Sequence, residues 1–144
     1  MGNSDTVKLL KECDAGSKMA VASIDEVFNN VSNSEMLKLL KESREHHEKL
    51  GNELHSMLNR EGAEEKDPSP MAKGMSWIKT NVKIGMDGSD ATVADLMVGG
   101  CDMGIKSLYR YLNQYPAADH AAKQVCKRLI SIEDELRRKL YDYL

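Results

Sequence analysis

The sequence predicts an all-α protein, a bundle of four long helices. Four stretches carry apolar residues at alternating spacings of three and four, which is the period of an amphipathic helix. Leu, Ala, Met, Glu and Lys dominate, and aromatic residues make up only 5% of the chain, a composition that favours helices over sheets. The link at 113–116 is so short that the helices on either side of it must be antiparallel neighbours. We expect a single domain over residues 1–144, since a chain of this length can bury one sizeable core.

The first helical pair is predicted over residues 6–31 and 35–61. Ser4 or Asp5 is placed to cap the first helix, and Ser34 to cap the second. Gly62 follows the second helix and is expected to end it.

Residues 62–90 form a connection of a different character. A charged, proline-broken stretch at 63–70 predicts a solvated loop. A shorter amphipathic helix is predicted over 71–84, with Trp77 beside its apolar face. The connection exceeds the 2–8 residues usual between bundle neighbours, so we expect it to cross the length of the bundle. Two antiparallel pairs joined by a long crossover are typical of ferritin-like bundles.

The second helical pair is predicted over 91–114 and 117–143. Ser89 or Asp90 is expected to cap the first of these helices, and Pro116 is placed to start the second. The first also contains Gly99, Gly100 and Gly104, each of which costs about 1 kcal/mol of helix propensity relative to Ala. We expect the compensation to be a close helix approach or room for a group in the core.

Charge and cysteine content narrow the function classes. The net charge is −3, so no basic field attracts phosphate backbones, and we expect no nucleic-acid partner. No stretch approaches the roughly 20 apolar residues of a membrane span. The three cysteines are scattered, which indicates reduced, mostly buried thiols and a cytoplasmic location.

Four side chains near the middles of the predicted helices are candidate metal ligands: Asp14, His47, Asp102 and Glu133. Di-iron bundles project carboxylates inward from each helix and add a His three residues after a Glu on two helices. The sequence contains no Glu-x-x-His. If these residues do bind a cofactor, iron or zinc is expected, since carboxylate and imidazole ligands suit both.

Three of the four candidate ligands also have a structural interpretation. His47 lies on the apolar stripe beside Ser43, so it is expected to be a partly buried His hydrogen-bonded to a carboxylate such as Asp14 or Asp102. Asp102 and Glu133 flank their stripes, which predicts helix-edge salt bridges with Arg or Lys. His46 and His55 are expected at the surface.

The pattern resembles a family of uncharacterised bacterial ferritin-like four-helix-bundle proteins. The residues that carry the resemblance are Asp14-Ala15-Gly16, Glu53-Leu54, Trp77 and the run from Asp102 to Tyr109. The resemblance implies a ferritin-like bundle without an established activity. Relatives tend to place acids at the positions of Gly99 and Asp102 and a His near Glu133, whereas this chain has no side chain at Gly99 and a Glu at 133.

Three functions remain open at the level of sequence. We favour a non-catalytic structural or interaction protein with a degenerate metal site and an unidentified protein partner; a homodimer is one option. The second is a bundle that stores metal or performs oxidation with the four candidate ligands. The third is a small-ligand carrier that uses space beside Gly99, Gly100 and Gly104.

Overall fold

The structure, a computed structural model, describes residues 4–63 and 89–144. These residues form four long helices: α1 (Ser4–Val27), α2 (Ser34–Arg60), α3 (Asp90–Gln114) and α4 (His120–Leu140). Short 3₁₀ turns, Phe28–Asn30 and Tyr141–Tyr143, follow α1 and α4. The all-α prediction is confirmed. The predicted helix at 71–84 and Trp77 lie outside the described residues.

The start of α2 differs by one residue from the predicted cap. Asn33, not Ser34, is the N-cap, and its side-chain oxygen accepts hydrogen bonds from the backbone N–H groups of Glu35 (2.9 Å) and Met36 (3.0 Å). Asn33 is an effective N-cap because its single carboxamide oxygen accepts from two of the unpaired backbone N–H groups at the start of the helix. Gly62 follows the end of α2 with a positive φ of 69°, the backbone conformation that glycine supplies after a helix.

The second helical pair begins at capped residues. Ser89 caps α3 as expected, accepting from Thr92 N–H at 3.2 Å. The expectation that Pro116 starts α4 is wrong, because the helix begins after Asp119, whose carboxylate accepts from Ala122 N–H at 2.9 Å. A carboxylate satisfies an unpaired donor of the first turn, which proline cannot do.

Contacts at the two ends of the bundle define the helix directions. The backbone N–H groups of Ser32 and Asn33, between α1 and α2, donate to the carboxylate of Asp90 at the start of α3 (2.9 and 3.0 Å). At the opposite end, Asp119 N–H donates to Thr6 Oγ1 at 2.8 Å. Hence α1 and α4 run in one direction and α2 and α3 in the other, with α2 ending and α3 beginning at opposite ends.

The apolar core is divided into two clusters along the bundle. α1 packs against all three other helices, and α4 packs against both α2 and α3. One cluster, which includes Ile24, Leu40 and Met97, lies near the start of α3. The other, which includes Leu54 and Leu129, lies near the start of α4. Polar residues lie between the two clusters.

Candidate functional site

Every helix interrupts its row of inward apolar residues at mid-height. The interrupting residues are Ser17 in α1, Ser43 and His47 in α2, Gly104 in α3 and Glu133 in α4. Between them they separate the two apolar clusters. We call these five residues the mid-bundle layer.

His47 is fully buried and neutral at physiological pH. Its Nδ1 lies 2.8 Å from the backbone carbonyl oxygen of Ser43, one turn earlier in α2. A carbonyl only accepts, so Nδ1 carries the proton and Nε2 carries the lone pair. Burial lowers the pKa of His47 from 6.5 to about 4, although the Ser43 carbonyl acts in the opposite direction. The burial expected for His47 is confirmed, but the expected carboxylate partner is wrong, because the Ser43 carbonyl takes that place.

Glu133 is the second ionisable group of the layer and is 1% exposed. Burial, followed by the nearby Cys126 thiol, raises the pKa of Glu133 from 4.5 to about 8, so its carboxyl is protonated at pH 7. A Cβ atom on Gly104 would collide with Oε1 of Glu133. The helix-edge salt bridge predicted for Glu133 is therefore wrong, since the glycine opens space for the carboxyl inside the core. The room expected beside Gly104 is confirmed, and the Glu133 carboxyl fills it.

His47 and Glu133 lie at the same level on neighbouring antiparallel helices. Arg128 of α4 pairs with Glu53 of α2 at 2.9 and 2.7 Å, which sets the register of the two helices. His47 lies six residues before Glu53 in α2, and Asp134 lies six residues after Arg128 in α4, both toward the middle of the bundle. His47 and Asp134 are therefore at one level, and Glu133 is the neighbour of Asp134. Within the described residues, His47 Nε2 and Glu133 Oε1 are buried without a hydrogen-bond partner. His47 Nε2 is a hydrogen-bond acceptor, and Glu133 Oε1 belongs to a protonated carboxyl that can donate a hydrogen bond.

The two aspartates of the predicted metal set are engaged elsewhere. Asp14 is 4% exposed and forms an ion pair with Lys18 at 2.9 Å, on the wall of an open groove of about 590 Å³ between α1 and α2. His47 lines the same groove. Asp102 lies on the surface and accepts from Arg137 Nη1 at 2.8 Å. The helix-edge salt bridge predicted for Asp102 is confirmed.

The four predicted ligands are thus divided among three places. Asp14 and His47 share the groove, Glu133 lies in the core beside Gly104, and Asp102 lies on the outside. Over 4–63 and 89–144, no three or more His, Cys, Asp or Glu side chains are grouped so that they could hold a metal ion. Metal binding by these residues stays a prediction.

The remaining histidines and the cysteines agree with expectation. His46 and His55 are exposed, and Cys13, Cys101 and Cys126 are buried free thiols. The sequence did not indicate that Cys13 and Cys126 belong to the same cluster. Their positions on the apolar stripes of α1 and α4, together with the parallel direction of these helices, are the signal that would have paired them.

Comparison with known proteins yields no relative: no family model, no curated protein and no solved structure matches the chain. In the part of the chain that the structure describes, no helix has the length and apolar character needed to cross a membrane. The mid-bundle layer and the surfaces around it are the features of the described residues that bear on function.

Proposed function

We propose that this chain is a ferritin-like bundle with a non-catalytic, structural or interaction role, and that its mid-bundle layer is a degenerate metal site. The observation that carries the proposal is the composition of the layer. A di-metal bundle needs an inward carboxylate from each helix and two imidazoles. Here α3 contributes only Gly104, and the one buried acid of α1, Asp14, is paired with Lys18. That leaves the imidazole of His47 in α2 and the carboxyl of Glu133 in α4.

The helix directions support the ferritin-like part of the proposal. Ferritin-like bundles consist of two antiparallel pairs joined by one long crossover. In this chain α1 and α4 run parallel, and Arg60 and Asp90 lie at opposite ends of the bundle. These directions agree with two antiparallel pairs of the ferritin-like kind.

The neighbouring acids support a structural role. Asp14 pairs with Lys18 on its own helix, and Asp102 pairs with Arg137 across α3 and α4. Carboxylates of a working di-metal centre face the ions rather than cationic side chains. Both acids are instead paired with cations, Asp14 in a largely buried position and Asp102 at the surface, where an ion pair contributes modestly.

An interaction role also needs a surface that another protein can cover. Met103 is 39% exposed and Tyr109 is 54% exposed, both on α3, and Tyr141 and Leu144 are exposed after α4. Large apolar and aromatic side chains of this kind are enriched at protein interfaces. They support contact with a second copy of the chain or with another protein.

Metal binding is the second candidate, and two buried atoms of the mid-bundle layer that have no hydrogen-bond partner favour it. Nε2 of His47 presents a lone pair, and Glu133 would present a carboxylate after it loses its proton to an entering cation. Two protein ligands of this type, with water completing the coordination sphere, would bind a metal ion more weakly than a full di-metal centre does.

Metal content after loading distinguishes the two candidates. Protein purified without a His-tag would be loaded anaerobically with Fe(II), then separately with Zn(II), desalted and analysed by mass spectrometry. The proposal expects background metal in wild type, His47→Ala and Glu133→Gln. Near-stoichiometric metal that falls with His47→Ala, but not with the exposed control His46→Ala, would overturn it in favour of metal binding. Sedimentation of the same wild-type sample tests the homodimer.

A further inference from the structure

Two of the three thiols meet where α1 and α4 pack together. Thr6 and Asp119, which are hydrogen-bonded, are 113 positions apart. A Cβ atom on Gly16 would lie 3.8 Å from the Leu129 side chain. Gly16 and Leu129 are separated in sequence by the same number of positions (129 − 16) as Thr6 and Asp119. Cys13 and Cys126 are separated by that number as well (126 − 13), so these parallel helices place them at one level.

The two thiols also share one buried environment. Cys13 and Cys126 are both fully buried and belong to the same apolar cluster. The Cys13 thiol is hydrogen-bonded to the Cys126 sulfur, which raises the pKa of Cys13 and lowers that of Cys126. The Cys126 Sγ also lies 3.8 Å from the carbonyl oxygen of Leu108. Cys101 belongs to the other cluster.

We propose that Cys13 and Cys126 form a dithiol site that a hydroperoxide oxidises to a disulfide between α1 and α4. The shared level of Cys13 and Cys126 on parallel helices and their burial in one apolar cluster carry this proposal. It does not depend on a metal site in the mid-bundle layer.

The chemistry proceeds in two steps that balance. The Cys126 thiolate attacks one peroxide oxygen, the O–O bond breaks, and a sulfenic acid forms at Cys126 while hydroxide leaves and is protonated to water. The Cys13 sulfur then attacks the Cys126 sulfur, the S–S bond forms, and the S–O bond breaks with release of a second water. With hydrogen peroxide as the oxidant, the two thiols together lose two protons and two electrons, and the peroxide is reduced to two waters. The lowered pKa of Cys126 and its contact with Cys13 suit these roles of attacking and resolving thiol.

Burial determines the rate of the reaction. A hydroperoxide reaches the pair only when the bundle opens locally, and helix termini open more readily than the centres of helices. Cys13 lies in the half of α1 that begins at Ser4, and Cys126 lies in the first half of α4. Both belong to the same end of the bundle, so one opening event exposes both thiols.

The test uses the full chain, reduced, desalted and exposed to hydrogen peroxide, with remaining thiols blocked by alkylation. Intact mass and a non-reducing peptide map identify the product. We expect wild type to lose the mass of two hydrogen atoms, to yield a linked peptide that joins Cys13 to Cys126, and to retain one alkylated thiol at Cys101. Because the bond closes a loop of most of the chain, the melting temperature should rise and return after dithiothreitol.

Matched variants separate the pair from the third thiol. Cys101→Ser should form the disulfide as wild type does, whereas Cys13→Ser and Cys126→Ser should not. Three fully alkylatable thiols after peroxide treatment, addition of oxygen without loss of hydrogen, or a disulfide that includes Cys101 would overturn the proposal. The wild-type peptide map decides between these outcomes even where a serine variant folds poorly.

Discussion

The buried carboxyl of Glu133 should make the fold less stable as the pH rises. The pKa of Glu133 is 4.5 before folding and about 8 within the bundle, so between these values the folded state holds a proton that the unfolded state has released. Stability from this group is complete below pH 4.5 and is lost as the pH rises toward 8. Replacement by the neutral Glu133→Gln removes the dependence while nearly preserving the shape of the side chain.

The magnitude follows from the difference in proton binding. One proton contributes about 1.4 kcal/mol per pH unit. Between pH 4.5 and pH 7, Glu133 therefore lowers the free energy of unfolding by about 3 kcal/mol, which is a large share of the stability of a small domain. Relative to wild type, Glu133→Gln should gain stability by that amount over the same interval.

His47 acts in the opposite direction. Its pKa falls from 6.5 to about 4 on folding, so the unfolded state binds the extra proton between these values. Stability from this group is complete above pH 6.5 and is lost as the pH falls toward 4. Between pH 4.5 and 6.5 the slopes from His47 and Glu133 cancel in wild type. Each single variant should reveal the slope of the group that remains, rising with pH in Glu133→Gln and falling with pH in His47→Gln.

Urea unfolding at half-unit steps from pH 4 to pH 8 measures these slopes, with helical circular dichroism as the signal. Differences between variant and wild type remove the contribution of all other titrating groups. Glu135→Gln is the matched control, because Glu135 lies on the same helix but is half-exposed and paired with Lys139 at 2.8 Å. The Lys139 ammonium lowers the pKa of Glu135, so its small slope has the opposite sign. If the stability difference between Glu133→Gln and wild type does not change across the range, the carboxyl is not buried in its neutral form and the reasoning is refuted.

Two further predictions concern the helices themselves. Gly104→Ala should destabilise the fold by about 1–3 kcal/mol despite alanine's better helix propensity, because the new methyl collides with the enclosed carboxyl of Glu133. This loss of stability should largely disappear when Gly104→Ala is combined with Glu133→Ala. Gly99→Ala, whose new methyl meets nothing within 4 Å, should raise the free energy of unfolding by about 0.5–1 kcal/mol. Equal effects at the two glycines would contradict the clash. Asp119→Ala should cost about 1 kcal/mol in urea unfolding because Ala122 N–H loses its cap, and an unchanged midpoint would show that the cap contributes nothing.

Most of the fold could be predicted from sequence because its signals are local. Long rows of apolar residues at helical spacing locate the four helices, and polar or glycine residues such as Ser89 and Gly62 mark where they begin and end. The inward position of His47 follows from the same spacing. Its partner could not be predicted, because the Ser43 carbonyl was already in reach and the spacing pattern does not describe backbone acceptors.

Glu133 shows where local reasoning ends. Leu129 and Leu136 can belong to either of two inward-facing rows at helical spacing. One row passes through Ile132 and the other through Glu133. Spacing and polarity favour the row through Ile132, yet Glu133 is the buried residue and Ile132 is only partly buried. The choice depends on Gly104 of a different helix, whose missing side chain makes room for a carboxyl. No property of α4 alone contains that information.

The pairing of Glu133 with Gly104 also explains why a bundle would keep a polar layer that weakens it. Apolar rows can slide past one another by a turn at little cost, and a buried polar group can specify one register. Sliding α3 by one turn in one direction would bring the side chain of Leu108 against the carboxyl. Sliding it in the other direction would present Gly100 but would separate Asp102 from Arg137. The mid-bundle layer therefore disfavours the first shift, which places Leu108 against the carboxyl, and the Asp102–Arg137 ion pair favours the observed register over the second shift. The buried Glu133 carboxyl meanwhile costs stability above pH 4.5.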